Sequence, residues 1–345
     1  MLPKNLKLIF IFLIFSANYV SAQINFSKVD AEIEKNKRSL SKNLVVLIYK
    51  DGKIIYKKET GSFTSKTQEP IASCSKWLTA ALVMTFVDEG KLSLDDKVSK
   101  YLPAFNFNGK QDITIRHCLS QQTGIHQEPF RLFRQLTKKK YKTLEEEVDD
   151  FANKSKLDYA SGSGFYYGNV GLNIAARVVE VITKKNFSTL MKERIFKPLE
   201  MNNSRFDDTE KAPNPSGSAI STADDYMNFL IMLLNKGEFK NKRILSEKAV
   251  ASMEQTQTAL DRIKYAPKVA EGYNYALGSW VQEADNSGKP TVLTCPGLFG
   301  TWPLIDNCRG YACIFFVKGL LGEQKAETYV AVKKQIDAVI PSNCK

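Results

Sequence analysis

Ser73 is followed three positions later by Lys76 in the run Ser73-Cys74-Ser75-Lys76. Residues three apart on a helix share a face, so this spacing sets an amine beside a hydroxyl. A serine hydroxyl is a poor nucleophile until a neighbouring base takes its proton during attack, and the N-terminal end of a helix adds positive potential at the same place. A second group of the right type lies at Tyr167-Gly168-Asn169. A phenol beside an ammonium can have its pKa lowered and exchange protons with a serine, while an asparagine carboxamide can hold a substrate carbonyl. The chemistry open to this set is nucleophilic attack by a serine on a substrate carbonyl.

Neither pattern is unique in the chain. Ser-x-x-Lys recurs at Ser39-Leu40-Ser41-Lys42 and Ser342-Asn343-Cys344-Lys345, and the Tyr-x-Asn form recurs at Tyr226-Met227-Asn228. Context separates them. The first copy precedes a strand, the last ends the sequence given, and only Ser73 opens a long apolar helix, running to about Glu89 with Leu78, Leu82, Phe86 and Val87 on one face and Gly90 as its stop. Tyr226 sits inside a periodic helix, Ala223–Asn235, where surface and core account for it, whereas Tyr167 lies between the Gly/Ser-rich stretch Ser161 to Gly164 and a helix entered near Val170.

The remaining elements bracket these residues. Leu44 to Tyr49, then Asp51-Gly52, then Lys53 to Lys57 predicts a hairpin, because Asp-Gly tolerates the positive φ of a tight turn. Helical spacing or capping follows at Thr114–Ser120, Leu144–Asn153, Val170–Thr183, Phe187–Ile195 and Ser246–Glu254. Strands return at Tyr275–Gln282, Thr291–Cys295, Thr301–Ile305 and Tyr311–Val317, and Lys325–Ile340 closes as a helix. Strands at both ends with helices between predict an α+β fold: an antiparallel sheet shared by the two terminal segments, flanked by helices, with an inserted helical subdomain.

Lys4 and Lys7, the apolar run Leu8 to Phe15, and Val20-Ser21-Ala22 before Gln23 predict a signal peptide over residues 1–22, leaving 23–345 as a single domain. The run is too short to span a bilayer and no cysteine marks lipoprotein processing, so the expectation is a secreted, periplasmic protein without a stable membrane anchor. The 345 residues are 43% hydrophobic and carry a net charge of +12. The basic run Lys138-Lys139-Lys140 leads directly into Glu145-Glu146-Glu147, and no basic stripe is interleaved with aromatics, so nucleic acid is not an expected partner. Export permits disulfides among Cys74, Cys118, Cys295, Cys308, Cys313 and Cys344, with Cys308–Cys313 the natural local bridge. A metal site is not expected, since there is no CxxC or HExxH and the histidines are His117 and His126 alone. His117 reads as structural, His126 as a residue that could face a cleft, Trp280 and Trp302 as core ahead of pocket, and Cys74 as packing or a disulfide.

Taken in order, these segments resemble the serine β-lactamase and penicillin-binding-protein superfamily, in its class C-related branch, which also contains D,D-peptidases and esterases. Ile71-Ala72-Ser73-Cys74-Ser75-Lys76 with Asp88 to Val98 is similar to the nucleophile segment. Ile113 to Ile125, Phe165 to Gly171 and Ile220 to Asp225 are similar to later stretches, the first with Cys118 where leucine is usual.

The resemblance implies that Ser73 forms an acyl-enzyme, that Lys76 and Tyr167 share its proton, and that Asn169 orients substrate, with no cofactor. The third element departs from the pattern: Cys295-Pro296-Gly297-Leu298 stands where Lys-Thr-Gly or His-x-Gly is usual. Cys295, Gly297 and Leu298 are then the substrate-side residues, the Leu298 and Ser73 amides forming an oxyanion hole. Neutral Cys295 cannot offer a charge-assisted bond to a substrate carboxylate, which favours an ester or a neutral amide over a β-lactam or peptidoglycan-type peptide. A carboxylesterase using the same serine and a catalytically silent, ligand-binding homologue are the alternatives.

Overall fold

The computed structural model describes residues 24–129, 141–208, 212–318 and 326–344. The signal-peptide expectation lies outside them. A helix α1 (Ser27–Lys35) precedes a hairpin of β1 (Leu44–Lys50) and β2 (Lys53–Thr60), turned at Asp51 (φ 48°) and Gly52 (φ 83°). Five strands from the other end of the chain, β3 (Asn274–Tyr275), β4 (Trp280–Ala284), β5 (Pro290–Thr294), β6 (Trp302–Asp306) and β7 (Tyr311–Val317), complete an antiparallel sheet in the order β3-β4-β5-β6-β7-β1-β2. β7 joins the two ends, pairing Val317 with Leu44 and Tyr311 with Lys50.

Side chains alternate across a strand, and both faces of this sheet are covered. Val45, Leu47, Leu293, Ile305, Ile314 and Phe316 point into a core made with α2 (Ser75–Asp88), α4 (Val170–Thr183) and α5 (Ala223–Leu234). Between α2 and α4 in sequence lies α3 (Leu144–Asn153), packed on α4. Leu44, Val46, Ile48, Leu304, Phe315 and Val317 face the other way, onto Val29 and Ile33 of α1 and Tyr329, Val332 and Ile336 of α6 (Ala326–Asp337). Lys333 of α6 is buried with Asp306, and its ammonium meets Glu283 at 2.9 Å, Asp306 at 3.3 Å and Asp337 at 2.7 Å, as a buried charge requires. Among the described residues no helix is long and apolar enough to cross a membrane.

Three expectations are corrected here. The stretch Tyr275–Gln282 is two strands, because Gly278 at φ 80° turns the chain and the Ala276 amide bonds to the Ser279 carbonyl at 2.8 Å. The helix from Phe187 stops at Met191 and loosens into a π turn over Lys192–Phe196. Cys308 pairs with Cys344, not Cys313. Cys308 lies in the turn beyond the last β6–β7 pair, Asp306↔Tyr311, whereas Cys313 is held opposite Leu304 inside the sheet and buried beneath α1 and α6. The C-terminal tail reaches that turn instead, its Asn343 amide bonding to the Cys308 carbonyl at 2.8 Å.

Candidate active site

Ser73 lies in a 3₁₀ turn, Ala72–Cys74, that leads directly into α2. Ala72 has φ 46°, a left-handed conformation that an L-residue occupies only when its surroundings impose it. Those surroundings are on both sides. The Ile71 amide bonds to the Ala219 carbonyl at 2.9 Å, and Ser75 Oγ donates to the Ala72 carbonyl at 2.6 Å while accepting from the Ala219 amide at 3.0 Å. The Tyr226 hydroxyl donates to the Cys74 carbonyl at 2.8 Å from α5. Tyr226, the residue that repeats the Tyr-x-Asn form, thus braces the turn from within the core.

Lys76 is 1% exposed, and its Nζ donates to Ser73 Oγ at 3.3 Å, Asn169 Oδ1 at 3.2 Å and the Ser216 carbonyl at 2.9 Å. It also stands 4.9 Å from the centre of the Tyr167 ring. Ser73, Lys76, Tyr167 and Asn169 therefore meet at one point, although about 90 residues separate the first pair from the second in sequence. Behind Tyr167 the ring of Trp280 packs at 5.0 Å, and Tyr275 meets both. Burial in this aromatic wall pushes the Tyr167 phenol well above its ordinary pKa. The nearby Cys295 adds to the rise, and a hydrogen bond from Ser73 opposes it. A lowered phenol pKa is not what this wall produces: desolvation outweighs the hydrogen bonds from Ser73 and Trp280 that favour the phenolate, so the resting phenol keeps its proton at neutral pH.

The third wall is the exit of β5. A Cβ on Gly297 would stand 2.4 Å from the Ile71 carbonyl oxygen and 3.1 Å from Cys74 Sγ, so only glycine lets this strand lie against the Ser73 turn. The Gly297 amide bonds to the Thr301 carbonyl at 2.8 Å and the Gly300 amide to the Gly297 carbonyl at 3.0 Å, making a tight turn with Leu298 inside it. Among the described residues the Leu298 amide has no hydrogen-bond acceptor. Cys295 differs from its expected place. At 1% exposed it lies below Ser73, donating to the Ser73 carbonyl at 3.2 Å and the Gly278 carbonyl at 3.4 Å, so its side chain offers no cleft-facing group to a substrate. Burial raises that thiol to about 12 despite Lys76 nearby.

Among the remaining candidates, His117 closes the capping box of the short helix Ile115–Leu119, its Nδ1 accepting the Thr114 amide at 3.3 Å. His126 pairs with Asp158 at 2.7 Å and Glu128 at 3.4 Å. Trp280 and Trp302 are both core, and Cys74 is a buried free thiol. Glu283, Asp306 and Asp337 come close enough to suggest a metal site, but Lys333 already occupies their centre.

The Beta-lactamase family model matches residues 33–335, most of the chain. The chain belongs to the beta-lactamase family. Its likeness to individual family members is more distant. It is 25% identical over 288 residues to the N-acetylmuramyl-L-alanine amidase of Bacillus subtilis (strain 168), covering 64% of this chain and 65% of the amidase. It is 28% identical over 185 residues to Protein flp of Staphylococcus aureus (strain MW2), covering 48% of this chain and 34% of that protein. The chain thus spans less than two thirds of the length of these curated relatives. Among solved structures, a candidate beta-lactamase from Bacteroides dorei DSM 17855 superposes with a TM-score of 0.80 at 27% identity, over 92% of this chain and 99% of the other. EstCE1, a hydrolase with promiscuous acyltransferase activity, gives 0.75 at 18%, over 90% and 97%, and a family VIII carboxylesterase gives 0.71 at 17%, over 90% and 97%. The last two share the fold.

Proposed function

We propose that the protein is an exported, periplasmic serine hydrolase that cleaves a small ester or uncharged amide through an acyl-enzyme on Ser73. The observation that carries this reading is the convergence of Lys76 Nζ on Ser73 Oγ at 3.3 Å and Asn169 Oδ1 at 3.2 Å, beside the Tyr167 ring. In the reacting form, with the Lys76 amine unprotonated, Ser73 Oγ adds to the acyl carbon while its proton passes to the Lys76–Tyr167 pair. The same pair returns a proton to the departing alcohol or amine. Water then adds to the acyl carbon, gives up a proton by the same route, and releases the acid and free Ser73. The Ser73 and Leu298 amides stabilise the oxyanion, and fixed main-chain donors do so without reorganising. Asn169 and the Leu298 turn hold the substrate.

Cys295 supports the choice of an uncharged substrate. Its thiol sits beneath Ser73 as a neutral group and supplies no cation where the resembling family carries Lys or His. The fold is shared with EstCE1 and a family VIII carboxylesterase, which is compatible with ester hydrolysis. Initial rates on a short-chain p-nitrophenyl ester and a chromogenic cephalosporin, measured beside Ser73→Ala, test the proposal. Ester turnover exceeding cephalosporin turnover, and absent from the variant, is the expected outcome. Turnover undiminished in Ser73→Ala overturns the nucleophile assignment, and preferential cephalosporin turnover overturns the substrate class.

A further inference from the structure

Asn169 stands at the N-cap of α4, where an asparagine ordinarily folds its carboxamide back onto its own helix to satisfy the first amides. Here it does not. Its backbone is at φ −106°, ψ −21° with no side-chain cap, and its Oδ1 accepts from Lys76 instead. The amides of Asn169 itself and of Val170, which an N-cap side chain does not reach, are held from elsewhere. Gln127, 42 residues earlier in the chain, places Oε1 at 3.0 Å from the Asn169 amide and 3.2 Å from the Val170 amide, while its Nε2 donates to the Tyr166 carbonyl at 3.4 Å. A Cβ on Gly168 would stand 1.8 Å from that oxygen, so the glycine between Tyr167 and Asn169 is the space Gln127 fills.

A second glutamine closes the other edge. Gln121 pairs both ends of its carboxamide with Gly168, Oε1 accepting the amide at 3.3 Å and Nε2 donating to the carbonyl at 3.1 Å, as a neighbouring strand would. Its own carbonyl accepts the Tyr166 amide at 3.0 Å, and its backbone is held at φ 62° to reach this position.

We propose that Gln127 is a positioning residue for catalysis: by accepting the Asn169 and Val170 amides and donating to the Tyr166 carbonyl it holds the backbone from which the Asn169 carboxamide reaches Lys76, and with Gln121 it fixes Tyr167-Gly168-Asn169 against the nucleophile. This inference rests on the proposed roles of Lys76 and Asn169, so its test has one arm that does not depend on them. Without the Gln127 acceptor those two amides are left open, and the loop that carries Tyr167 and Asn169 loses an anchor and shifts away from Lys76.

Gln127→Met keeps the side-chain length and removes the acceptor; Gln127→Glu keeps the acceptor. Amide hydrogen exchange of the free protein reads the cap directly. The Asn169 and Val170 amides are expected to lose protection in Gln127→Met and to keep it in Gln127→Glu. Ester kinetics with p-nitrophenyl acetate, which has no amide for a glutamine to grip, read the consequence. Gln127→Met is expected to lower kcat about fivefold with KM little changed, about the cost of one neutral hydrogen bond. Gln127→Glu restores most of it. In an Asn169→Ala background the Gln127→Met loss should shrink to about twofold or less, because contacting residues that act through one another are not additive.

Unchanged exchange at Asn169 and Val170 in Gln127→Met overturns the capping role whatever the catalytic residues prove to be. Altered exchange with an additive kinetic loss overturns the coupling to Asn169 alone. A loss confined to amide substrates would instead make Gln127 a substrate contact and also refute the proposal.

Discussion

Gly297→Ala probes how closely the β5 exit must approach the nucleophile. The added methyl would meet the Ile71 carbonyl oxygen at 2.4 Å and Cys74 Sγ at 3.1 Å. A relaxed carbon–oxygen contact lies near 3.3 Å, so the strand exit must retreat by about 1 Å or the Ser73 turn must give way. The turn resists, being tied to Ala219 and Tyr226 and strained at Ala72. The retreat therefore carries Leu298 away from Ser73. A misplacement of about 1 Å at reacting groups costs on the order of 10²-fold in rate, and overpacking costs about 1–3 kcal/mol of stability, or roughly 2–5 °C in Tm for a chain of this length. Ester kinetics and thermal unfolding of the same preparation check both numbers. A folded variant with wild-type kcat/KM would refute the close approach as the reason for this glycine and, with it, the assignment of the Leu298 amide.

The Cys308–Cys344 bond closes a loop with a sequence separation of 36, for which chain entropy gives about 4 kcal/mol and about 6 °C in Tm; peptide mapping should find this pair, and Cys344→Ala should show that loss. Cys295 should resist iodoacetamide at pH 8 in the folded protein, because burial holds the thiol protonated, and rapid labelling with loss of activity would contradict its position. The raised thiol also sets a pH trend. Its contribution to stability is complete below the ordinary value of 9.0 and is lost as pH rises through about 12, so urea midpoints should fall over that window less steeply in Cys295→Ala. At the acid end, the Arg194 guanidinium beside Glu89 lowers that carboxyl from 4.5 to about 2, so its contribution is present above 4.5 and is lost as pH falls toward 2. Glu89 is partly exposed, and Glu89→Gln should flatten the acid limb by less than about 1 kcal/mol.

Sheet architecture was legible where local rules decide. The Asp51-Gly52 turn needs positive φ at both positions, and the continuous apolar runs of β1 and β7 name the strands that join the chain ends. The Ser73-to-Lys76 spacing likewise names neighbours on one helical turn. What sequence left obscure depends on distance or burial. Gly278 splits one apolar stretch into two strands because it packs against Lys76 and Ala80, a contact made across the fold. Cys344 finds Cys308 only after α6 carries the tail back over the sheet. The Tyr167 phenol is governed by an aromatic wall assembled from β3 and β4, which no local pattern around Tyr167 contains. Tyr226 and Gln127 act through hydrogen bonds to backbone far away in sequence, and the Gly168 that makes room for Gln127 is their one local trace.

The central claim is that the acyl group passes through Ser73. Protein turning over a p-nitrophenyl ester, quenched in acid and digested with trypsin, should show the acyl mass on the peptide Thr67 to Lys76, located at Ser73 by fragmentation and missing from Ser73→Ala. An acyl group found on another residue, or an unmodified Thr67 to Lys76 peptide alongside turnover that persists in Ser73→Ala, would contradict it.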